Sequence, residues 1–270
     1  MSCYHPVRAW RYPVEGSSLH FTPQGAPYEQ LEVPCGVCVG CRADQSLMWS
    51  IRAYHESLLH DRNCFVTLTY DDKNLPADRK IDKKELQDFF KRLRKKLPPR
   101  SMSYIACGEY GDDTRRPHYH AVLFGVDFLH DKITLDDKSY TSPTLSEIWG
   151  KGNVSISPVN MATICYVCGY VTKKIKDKDT FNLMSRRPAI GKRFLERYKS
   201  DMLATSSVTI EGKEYPVPKR YIEWAKDEFQ DIIAQRLEYA KRNSLKNTDA
   251  VLKAKKLNRL ARNSQKKGKL

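Results

Sequence analysis

Two segments rich in aromatic and branched residues, joined by a short charged loop, most restrict what this chain can fold into. They are SYIACGEYG, starting at Ser103, and HYHAVLFGV, starting at His118, and the loop runs from Asp112 to Arg116. Such segments are typical of strands, and a polar connection of this length pairs them as an antiparallel hairpin. Because separate helices accompany the hairpin, the pattern predicts an α+β fold rather than a βαβ array.

Two further strands are expected besides the hairpin. FVTLTY, from Phe65 to Tyr70, alternates and is rich in β-branched residues, and a shorter strand is expected from Val154 to Ser157. The first forty residues are rich in Pro, Gly and aromatic residues, which predicts irregular structure with short strands.

Three helices are indicated by apolar residues that recur three and four positions apart. The clearest follows Asp82, which can cap it with Glu85 as the capping-box partner, and it stops at Pro98. The other two are expected over about residues 43–60 and 161–177.

The positive charge is concentrated at one end of the chain. Lys and Arg number 47 and Asp and Glu number 32, which gives a formal net charge of +15. Residues 241–270 hold eleven Lys or Arg and a single acid, Asp249, so this tail carries +10 of the total. The charge indicates a polyanionic partner such as nucleic acid, although basic tails are also typical of solvated ends. We expect the tail to be helical or disordered.

Several classes of protein are not expected. The start, MSCYHPVRAWRYP, lacks an apolar signal core, and the longest uncharged stretch, 153–172, is interrupted by polar residues, Gly and Pro. Neither secretion nor a membrane span is therefore predicted, and a cytoplasmic protein is expected. The sequence lacks the pattern GxxxxGK[ST], which predicts no ATPase or helicase activity of its own.

His118 and His120 are candidate metal ligands. Residues two apart on a strand point to the same face, so the two imidazoles lie side by side. Glu109 ends the preceding strand, and the hairpin can bring its carboxylate beside His118. Two imidazoles and a carboxylate with open positions suit Mg²⁺ or Mn²⁺ and leave room for a phosphate oxygen. Two surface histidines in a tyrosine-rich strand are the alternative.

Tyr166 and Tyr170 are candidate nucleophiles. Their four-residue spacing places them on one face of the predicted helix, beside its apolar stripe, and Lys173 and Lys174 follow one turn later. A tyrosine hydroxyl becomes an effective nucleophile beside a metal-polarised phosphate and an ammonium group. That combination predicts transesterification of a phosphodiester, whereas a place in the core or an interface is the alternative for both tyrosines.

In their order along the chain, these motifs resemble a known family. FVTLTY, GEYGDDTRRPHYHAVLFG and YVCGYVTKK are similar to the three motifs of the HUH endonucleases that start rolling-circle replication. With PCGVCVGCR and FNLMSRRPAIG, the chain resembles more narrowly the replication initiators of single-stranded DNA phages of the microvirus group, in the gokushovirus-like branch. The similarity covers roughly residues 3–198. It implies a central antiparallel sheet flanked by helices.

The resemblance implies a role for each candidate residue. Six residues match the family's reactive positions: the metal ligands Glu109, His118 and His120, the nucleophiles Tyr166 and Tyr170, and Lys173, which follows a tyrosine by three. The implied reaction nicks a single-stranded DNA origin and leaves a 3′-hydroxyl for a host polymerase, with strand separation by a host helicase. Either tyrosine can cut first. The chain departs from the family at Tyr119, where an aliphatic residue is usual, and at Gly169, between the nucleophiles.

Five basic residues are candidate contacts to DNA. They are Arg115 and Arg116 in the hairpin turn, Lys174 after the tyrosines, and Arg186 and Arg187 in FNLMSRRPAIG. Guanidinium groups hold phosphate oxygens through paired hydrogen bonds, and aromatic residues nearby stack on bases. Solvated loop charges are the alternative reading of these positions.

Eight cysteines in a chain without an export signal predict thiols or metal rather than disulfides. Four of them, Cys3, Cys35, Cys38 and Cys41, predict a four-thiolate Zn²⁺ site that folds a core-poor N-terminus. An iron–sulfur motif shares part of this spacing, and reduced, partly buried cysteines are a third option. The others, Cys64, Cys107, Cys165 and Cys168, are expected to be packing residues.

The sequence predicts four segments: a cysteine-rich segment with a helix (1–62), a nicking core (63–178), an extension on or near the core (179–240) and the basic tail (241–270). The leading hypothesis is a metal-dependent origin-nicking endonuclease and ligase in the cytoplasm of a phage's bacterial host. One alternative is a relaxase or transposase of a plasmid or mobile element from the same superfamily. Another is a non-catalytic zinc-containing nucleic-acid-binding protein, which predicts buried tyrosines and Glu109 far from His118.

Overall fold

The computed structural model describes residues 3–14, 17–97, 102–111, 114–172, 180–244 and 248–267. Within its helices, the side chains of residues 170–172, 240, 241, 243, 244, 263 and 265–267 lie outside the description. The chain forms two compact units, which are Ser46–Trp224 and the combination of Met1–Gln45 with Ala225–Leu270. Each unit contains a sheet of its own.

The described ranges contain twelve strands and eight α-helices. The strands are β1 (Val7–Arg11), β2 (Leu19–His20), β3 (Glu29–Val33), β4 (Asn63–Tyr70), β5 (Ser103–Tyr110), β6 (Pro117–Phe124), β7 (Ile133–Thr134), β8 (Tyr140–Thr141), β9 (Gly152–Ser157), β10 (Phe181–Met184), β11 (Ser207–Ile210) and β12 (Lys213–Pro216). The helices are α1 (Val39–Ser57), α2 (Lys83–Lys96), α3 (Pro143–Trp149), α4 (Met161–Thr172), α5 (Lys192–Thr205), α6 (Lys219–Trp224), α7 (Gln230–Ser244) and α8 (Asp249–Lys267). In this part of the chain, every helix is too short or too polar to cross a membrane.

A seven-stranded antiparallel sheet forms the centre of the unit Ser46–Trp224. Its strand order is β10-β5-β6-β4-β9-β8-β7, so the predicted hairpin β5–β6 and strand β4 are neighbours in the interior of the sheet. Alternate side chains of β4 are buried, from Cys64 to Tyr70. They pack with α2 and α3 through large apolar residues such as Phe89 and Trp149. The predicted α+β architecture, a central antiparallel sheet flanked by helices, is confirmed.

The opposite face of the same sheet is covered by α4 and by part of α1. Ile164 and Val167 of α4 and Ala53 of α1 are buried against Ile105 of β5 and Val122 of β6. Because strand side chains alternate, residues of β5 at an even number of positions from Ile105 lie on this same face. The same holds for residues of β6 at an even number of positions from Val122. The apolar contacts of α4 therefore place this helix over the end of the hairpin that carries the histidines.

Helix α2 begins after Asp82 as the sequence predicts, but the predicted capping box with Glu85 is wrong. The N–H of Asp82 donates to the hydroxyl of Tyr119 at 3.1 Å, and the carboxylate of Glu85 accepts a hydrogen bond from Lys151 Nζ at 3.1 Å. The side chain of Asp82 accepts a hydrogen bond from the backbone N–H of Lys84 at 2.7 Å, which satisfies one of the free donors of the first turn. The apolar stripe is buried at Leu86, Phe89, Phe90 and Leu93. The helix ends at Lys96, and the predicted stop at Pro98 lies outside the described residues.

The ends of the chain are more regular than the sequence indicates. The first forty residues form a small antiparallel sheet in the order β2-β1-β3. Helix α1 begins at Val39 rather than near residue 43, because the carbonyl of Cys38 already accepts a hydrogen bond from the N–H of Arg42. Of the two options expected for the tail, the described residues form helices α7 and α8.

The carboxylate of Glu56 on α1 is buried among donors from distant parts of the chain. It accepts hydrogen bonds from Ser103 Oγ at 2.7 Å, from the N–H of Gly191 at 2.9 Å and from Arg193 Nη2 at 3.0 Å, and His60 Nε2 lies 3.4 Å away. Burial alone would raise the pKa of Glu56, but these hydrogen bonds outweigh it and lower the pKa to about 2. The ionised carboxylate therefore joins α1, β5 and the start of α5.

We expect this carboxylate to make folding stability depend on acid pH. A pKa that is depressed in the folded state stabilises the protein above the unfolded value near 4.3, and this contribution is lost as the pH falls towards about 2. Glu56→Gln is expected to lower the free energy of unfolding at pH 7 by about 2 kcal/mol and to flatten its pH dependence between about pH 5 and pH 2. Urea unfolding followed at a series of pH values measures both effects.

Asp88→Asn is the matched control for that substitution. Asp88 also has a pKa lowered to about 2, by hydrogen bonds from Lys84 and Lys91, but it lies on the solvent side of α2, where water screens the pairs. The substitution Asp88→Asn should therefore change the free energy of unfolding little. Equal effects of the two substitutions would contradict the role assigned to Glu56.

Candidate functional site

The hairpin β5–β6 brings Glu109 and the two histidines to one face of the sheet. Glu109 is the direct cross-strand partner of His118, and Cys107 is the partner of His120. Directly opposed residues of antiparallel strands project to the same side, so Glu109, His118 and His120 share a face. Glu109 and His120 are each only 7% exposed, and His118 is half-buried. The residues that the sequence predicts as metal ligands are therefore neighbours in this structure.

Strand β4 fixes the orientation of both imidazoles. Thr67 is paired with His120 and Thr69 with His118, and the hydroxyl of each threonine lies 3.0 Å and 3.1 Å, respectively, from Nδ1 of its histidine. A hydrogen bond at Nδ1 sets the rotation of the ring and leaves Nε2 as the available ligand atom. The sequence analysis did not identify these threonines, although their alternation in FVTLTY matches that of the histidines.

Tyr166 of α4 reaches the same group of side chains. Its hydroxyl donates a hydrogen bond to Glu109 Oε1 at 3.0 Å, and His120 Nε2 lies 2.8 Å from the same oxygen. The tyrosine ring stands edge-on to His120, with ring centroids 5.2 Å apart, and Phe65 stacks on that imidazole and also meets the Tyr166 ring edge-on. A candidate nucleophile, Tyr166, and one candidate ligand, His120, thus converge on the carboxylate of a second candidate ligand, Glu109.

Tyr166 lies at the open edge of this cluster. It is 45% exposed, whereas Glu109 and His120 are almost buried beneath it. The tyrosine hydroxyl therefore sits where an incoming chain can reach it from solvent. Tyr170 follows four residues later in the same helix, but its side chain, together with Lys173 and Lys174, lies outside the described residues.

The surroundings of His118 favour the form of imidazole that binds metals. Desolvation lowers the pKa of His118, the positive charges of His120 and Arg116 lower it further, and Glu109 opposes them. A metal ligand must be the neutral imidazole, so this direction suits coordination. Gly111 also keeps space at the ring, because a Cβ there would lie 2.9 Å from His118 Nε2.

The donor set fits a hard divalent cation. Two imidazole nitrogens and a carboxylate oxygen, with each imidazole donating its Nδ1–H to a threonine hydroxyl, suit Mn²⁺, and Mg²⁺ when water fills the remaining positions. Within the set, His120 Nε2 lies 2.8 Å from Glu109 Oε1, and the ligand atoms of the three residues are not as tightly grouped as those of the cysteine cluster described below.

The arginines predicted as DNA contacts differ in what they touch. Arg116 donates to the carbonyl of Tyr70 at 2.7 Å and is bonded to Asp72, so it ties the hairpin turn to β4. Arg115 lies over the ring of Tyr110, 4.6 Å from its centroid. Arg186 and Arg187 are exposed on the turn that follows β10.

The four N-terminal cysteines form a second cluster. The Sγ atoms of Cys3, Cys35, Cys38 and Cys41 all lie within 4.8 Å of one another, and among the described residues they are the one such group of three or more His, Cys, Asp or Glu. Burial alone would raise the pKa of Cys38, but hydrogen bonds from the N–H groups of Cys41 and Tyr4 outweigh it and lower the pKa to about 6. This cluster could hold a metal ion. The remaining four cysteines are thiols as well, and Cys64, Cys107 and Cys168 are buried as expected for packing residues.

Comparison with known proteins identifies the group to which the chain is related. The family model for replication-associated protein ORF2 matches residues 63–175, which include the hairpin and the tyrosine helix. Replication-associated protein VP4 of Bdellovibrio phage phiMH2K is 32% identical over 246 residues, covering 84% of this chain and 78% of the relative. Replication-associated protein ORF2 of Spiroplasma virus 4 is 31% identical over 79% of this chain and 75% of the relative.

A third relative extends the same group. Replication-associated protein ORF4 of Chlamydia phage 1 is 28% identical over 87% of this chain and 58% of the relative. No solved structure matches the chain. With two relatives above 30% identity that are covered over most of their length, the chain belongs to the family of phage replication-associated proteins.

Proposed function

We propose that this protein starts rolling-circle replication by nicking a single-stranded DNA origin and later rejoining it. A tyrosine attacks a phosphodiester and becomes linked to the 5′-phosphate, which leaves a free 3′-hydroxyl. The match to replication-associated proteins of three phages supports the process, and the site supports the chemistry. We assign the reaction to the segment 63–178.

One contact carries the proposal: the hydroxyl of Tyr166 donates to the same oxygen of Glu109 that His120 Nε2 contacts. A phenol needs a nearby acceptor for its proton and a polarised phosphate before it attacks. The carboxylate of Glu109 faces the phenol proton, and the imidazole ligands lie beside it. When bound at Glu109, His118 and His120, Mg²⁺ or Mn²⁺ would polarise the scissile phosphate and offset charge on its oxygens.

The proposed reaction exchanges one ester bond for another. The tyrosine oxygen forms a bond to phosphorus, the bond from phosphorus to the 3′-oxygen breaks, and that oxygen takes up a proton from water. Because the number of phosphate ester bonds is unchanged, the reverse reaction can rejoin DNA without a nucleotide cofactor. Lys173 would stabilise the negative charge that develops during the reaction. A second tyrosine would allow a second cut while the first strand is rejoined.

The basic residues around the site would hold the DNA. We assign backbone contacts to Arg115, Arg116, Lys174, Arg186 and Arg187, of which Arg186 and Arg187 are exposed and Arg116 is already engaged by Tyr70 and Asp72. The 3′-hydroxyl would serve a host DNA polymerase, and a host helicase would separate the strands, in the cytoplasm of the host cell. These partners complete the proposal.

Two observations weigh against a protein that only binds nucleic acid. That alternative requires Tyr166 to be buried and Glu109 to lie far from His118. Tyr166 is instead 45% exposed, and Glu109 is the cross-strand partner of His118. The similarity to phage replication proteins favours a replication initiator over a relaxase or transposase.

A labelled-oligonucleotide assay tests the proposal. Single-stranded oligonucleotides that tile the genome encoding the chain are incubated with the full-length protein and Mn²⁺ and run on a denaturing gel. For one origin sequence, a label at the 3′ end should move with the protein, while a label at the 5′ end should appear on a shorter free fragment that a polymerase can extend. A 5′ label on the protein, or no adduct with any oligonucleotide, would refute the mechanism.

A further inference from the structure

The spacing of the four N-terminal thiols matches one small metal ion. Cys3 Sγ lies 3.7 Å from Cys35 Sγ, which lies 4.0 Å from Cys41 Sγ, and all four sulfurs are within 4.8 Å of one another. A tetrahedron of sulfurs around zinc, with Zn–S bonds of about 2.3 Å, has edges of about 3.8 Å. The separations between the sulfurs therefore fit the dimensions of a four-thiolate site around one ion.

The backbone around this cluster is arranged to stabilise negatively charged sulfur. N–H groups of four residues point at sulfur atoms: Tyr4 and Cys41 at Cys38 Sγ, Cys35 at Cys3 Sγ, and Cys38 at Cys35 Sγ, at 3.3–3.5 Å. Cys38 directly precedes α1, and Cys41 lies in its first turn. The N-terminus of a helix carries partial positive charge, which also favours a thiolate at Cys38.

The N-terminal segment contributes few buried apolar side chains of its own. Among the described residues up to Gln45, the buried hydrophobic side chains are Cys3, Tyr4, Ala9 and Cys41. Two of these four are members of the cluster itself. A short sheet with so few buried apolar groups is the kind of structure that a metal ion commonly stabilises in place of a core.

We propose that Cys3, Cys35, Cys38 and Cys41 bind a single Zn²⁺ that folds the N-terminal sheet onto the start of α1. An iron–sulfur cluster would place several irons and sulfides between the thiolates and spread them further apart than this structure does. Four thiolates around one ion are typical of structural zinc sites, which are closed to substrate. The site is separate from the proposed nicking chemistry and stands independently of it.

Metal analysis of the untagged full-length protein tests this inference. We expect about one zinc per chain, and we expect Cys3, Cys35, Cys38 and Cys41, identified by peptide mapping, to be protected from a thiol reagent until the zinc is released. Replacement by Co²⁺ should give the intense visible absorption of tetrahedral cobalt bound to sulfur. Iron with acid-labile sulfide, disulfides between these cysteines, or four reactive thiols without metal would each overturn the proposal.

Paired variants separate metal binding from misfolding. Cys35→Ser with Cys38→Ser should reduce zinc to below about 0.1 per chain and make the N-terminal sheet open to proteolysis. Cys165→Ser is the matched control, because Cys165 is also half-buried but lies on α4, and it should retain full zinc. If the double variant does not fold, stepwise titration of the wild-type protein with a mercurial reagent still decides the matter, since peptide mapping should show that the single zinc is released as Cys3, Cys35, Cys38 and Cys41 are modified. Zinc retained by the double variant, or lost by the control, would refute the assignment.

Discussion

Replacing both Tyr166 and Tyr170 by phenylalanine is expected to abolish the covalent protein–DNA adduct, with a loss of at least about a thousandfold in the rate of nicking. Phenylalanine keeps the ring and removes only the hydroxyl, so the edge-on packing of Tyr166 against His120 and Phe65 should persist. The rate of adduct formation on a denaturing gel measures the effect. Binding of the uncut oligonucleotide, followed by fluorescence anisotropy, should change little.

The single variants distinguish the two tyrosines. The hydroxyl of Tyr166 already contacts Glu109, so Tyr166→Phe alone tests whether this phenol makes the first cut. Tyr12→Phe is the matched control, because Tyr12 is 42% exposed against 45% for Tyr166 and lies outside the site. A double variant that still forms the adduct would show that neither tyrosine is the nucleophile.

Glu109→Gln is expected to slow nicking at least about a hundredfold, because it removes the charge that attracts the cation and accepts the phenol proton. The amide has nearly the shape of the carboxylate and can still accept a hydrogen bond from Tyr166, so the fold should be retained. Nicking rates measured over a series of Mn²⁺ concentrations, with Mn²⁺ binding followed by electron paramagnetic resonance, check the prediction. Chelation of the metal should stop nicking by the wild-type protein in the same assay.

Glu147→Gln is the control for the loss of a carboxylate. Glu147 lies on α3, on the other side of the sheet, where it forms an exposed ion pair with Lys96 at 2.9 Å. Its substitution should leave both nicking and Mn²⁺ binding unchanged. A wild-type rate in Glu109→Gln at every Mn²⁺ concentration would mean that this carboxylate has no part in the reaction.

Local patterns in the sequence were sufficient to predict the hairpin and the arrangement of its side chains. Alternation along one strand places His118 and His120 on the same face, and the short connection allows only a narrow range of registers, one of which pairs Glu109 with His118. The apolar stripe of the next helix places Ile164 and Val167 in the core and therefore leaves Tyr166 at the edge. These features depend on neighbours in sequence.

Contacts that depend on distant strands could not be predicted in this way. The hydrogen bonds between the imidazoles and Thr67 and Thr69 exist because β4 pairs with β6 in one register, and a shift by one residue would turn both hydroxyls to the other face. The hydrogen bonds that Arg116 donates to the carbonyl of Tyr70 and to Asp72 also depend on the pairing of β4 with β6. Nothing local in the sequence specifies how two strands more than forty residues apart align.

The unusual residue between the histidines also has a tertiary explanation. The hydroxyl of Tyr119 accepts a hydrogen bond from the N–H of Asp82 at 3.1 Å and donates one to its carbonyl at 3.0 Å, while Tyr70 Oη lies 2.9 Å away. An aliphatic residue would fill the same space without these bonds. Tyr119 therefore secures the start of α2 on the face opposite the reactive groups.

The division of the reactive groups between a sheet and a helix has a mechanical consequence. Glu109, His118 and His120 belong to a hairpin that is bonded to further strands on both sides, so they move as one body. The phenol of Tyr166 is carried by α4, which rests on that body through side-chain packing such as that of Ile164 and Val167. For the proposed reaction, we expect room for one DNA end to depart and another to enter to come from tilting or sliding of α4, so that this helix rather than the imidazoles would govern the rate of strand exchange.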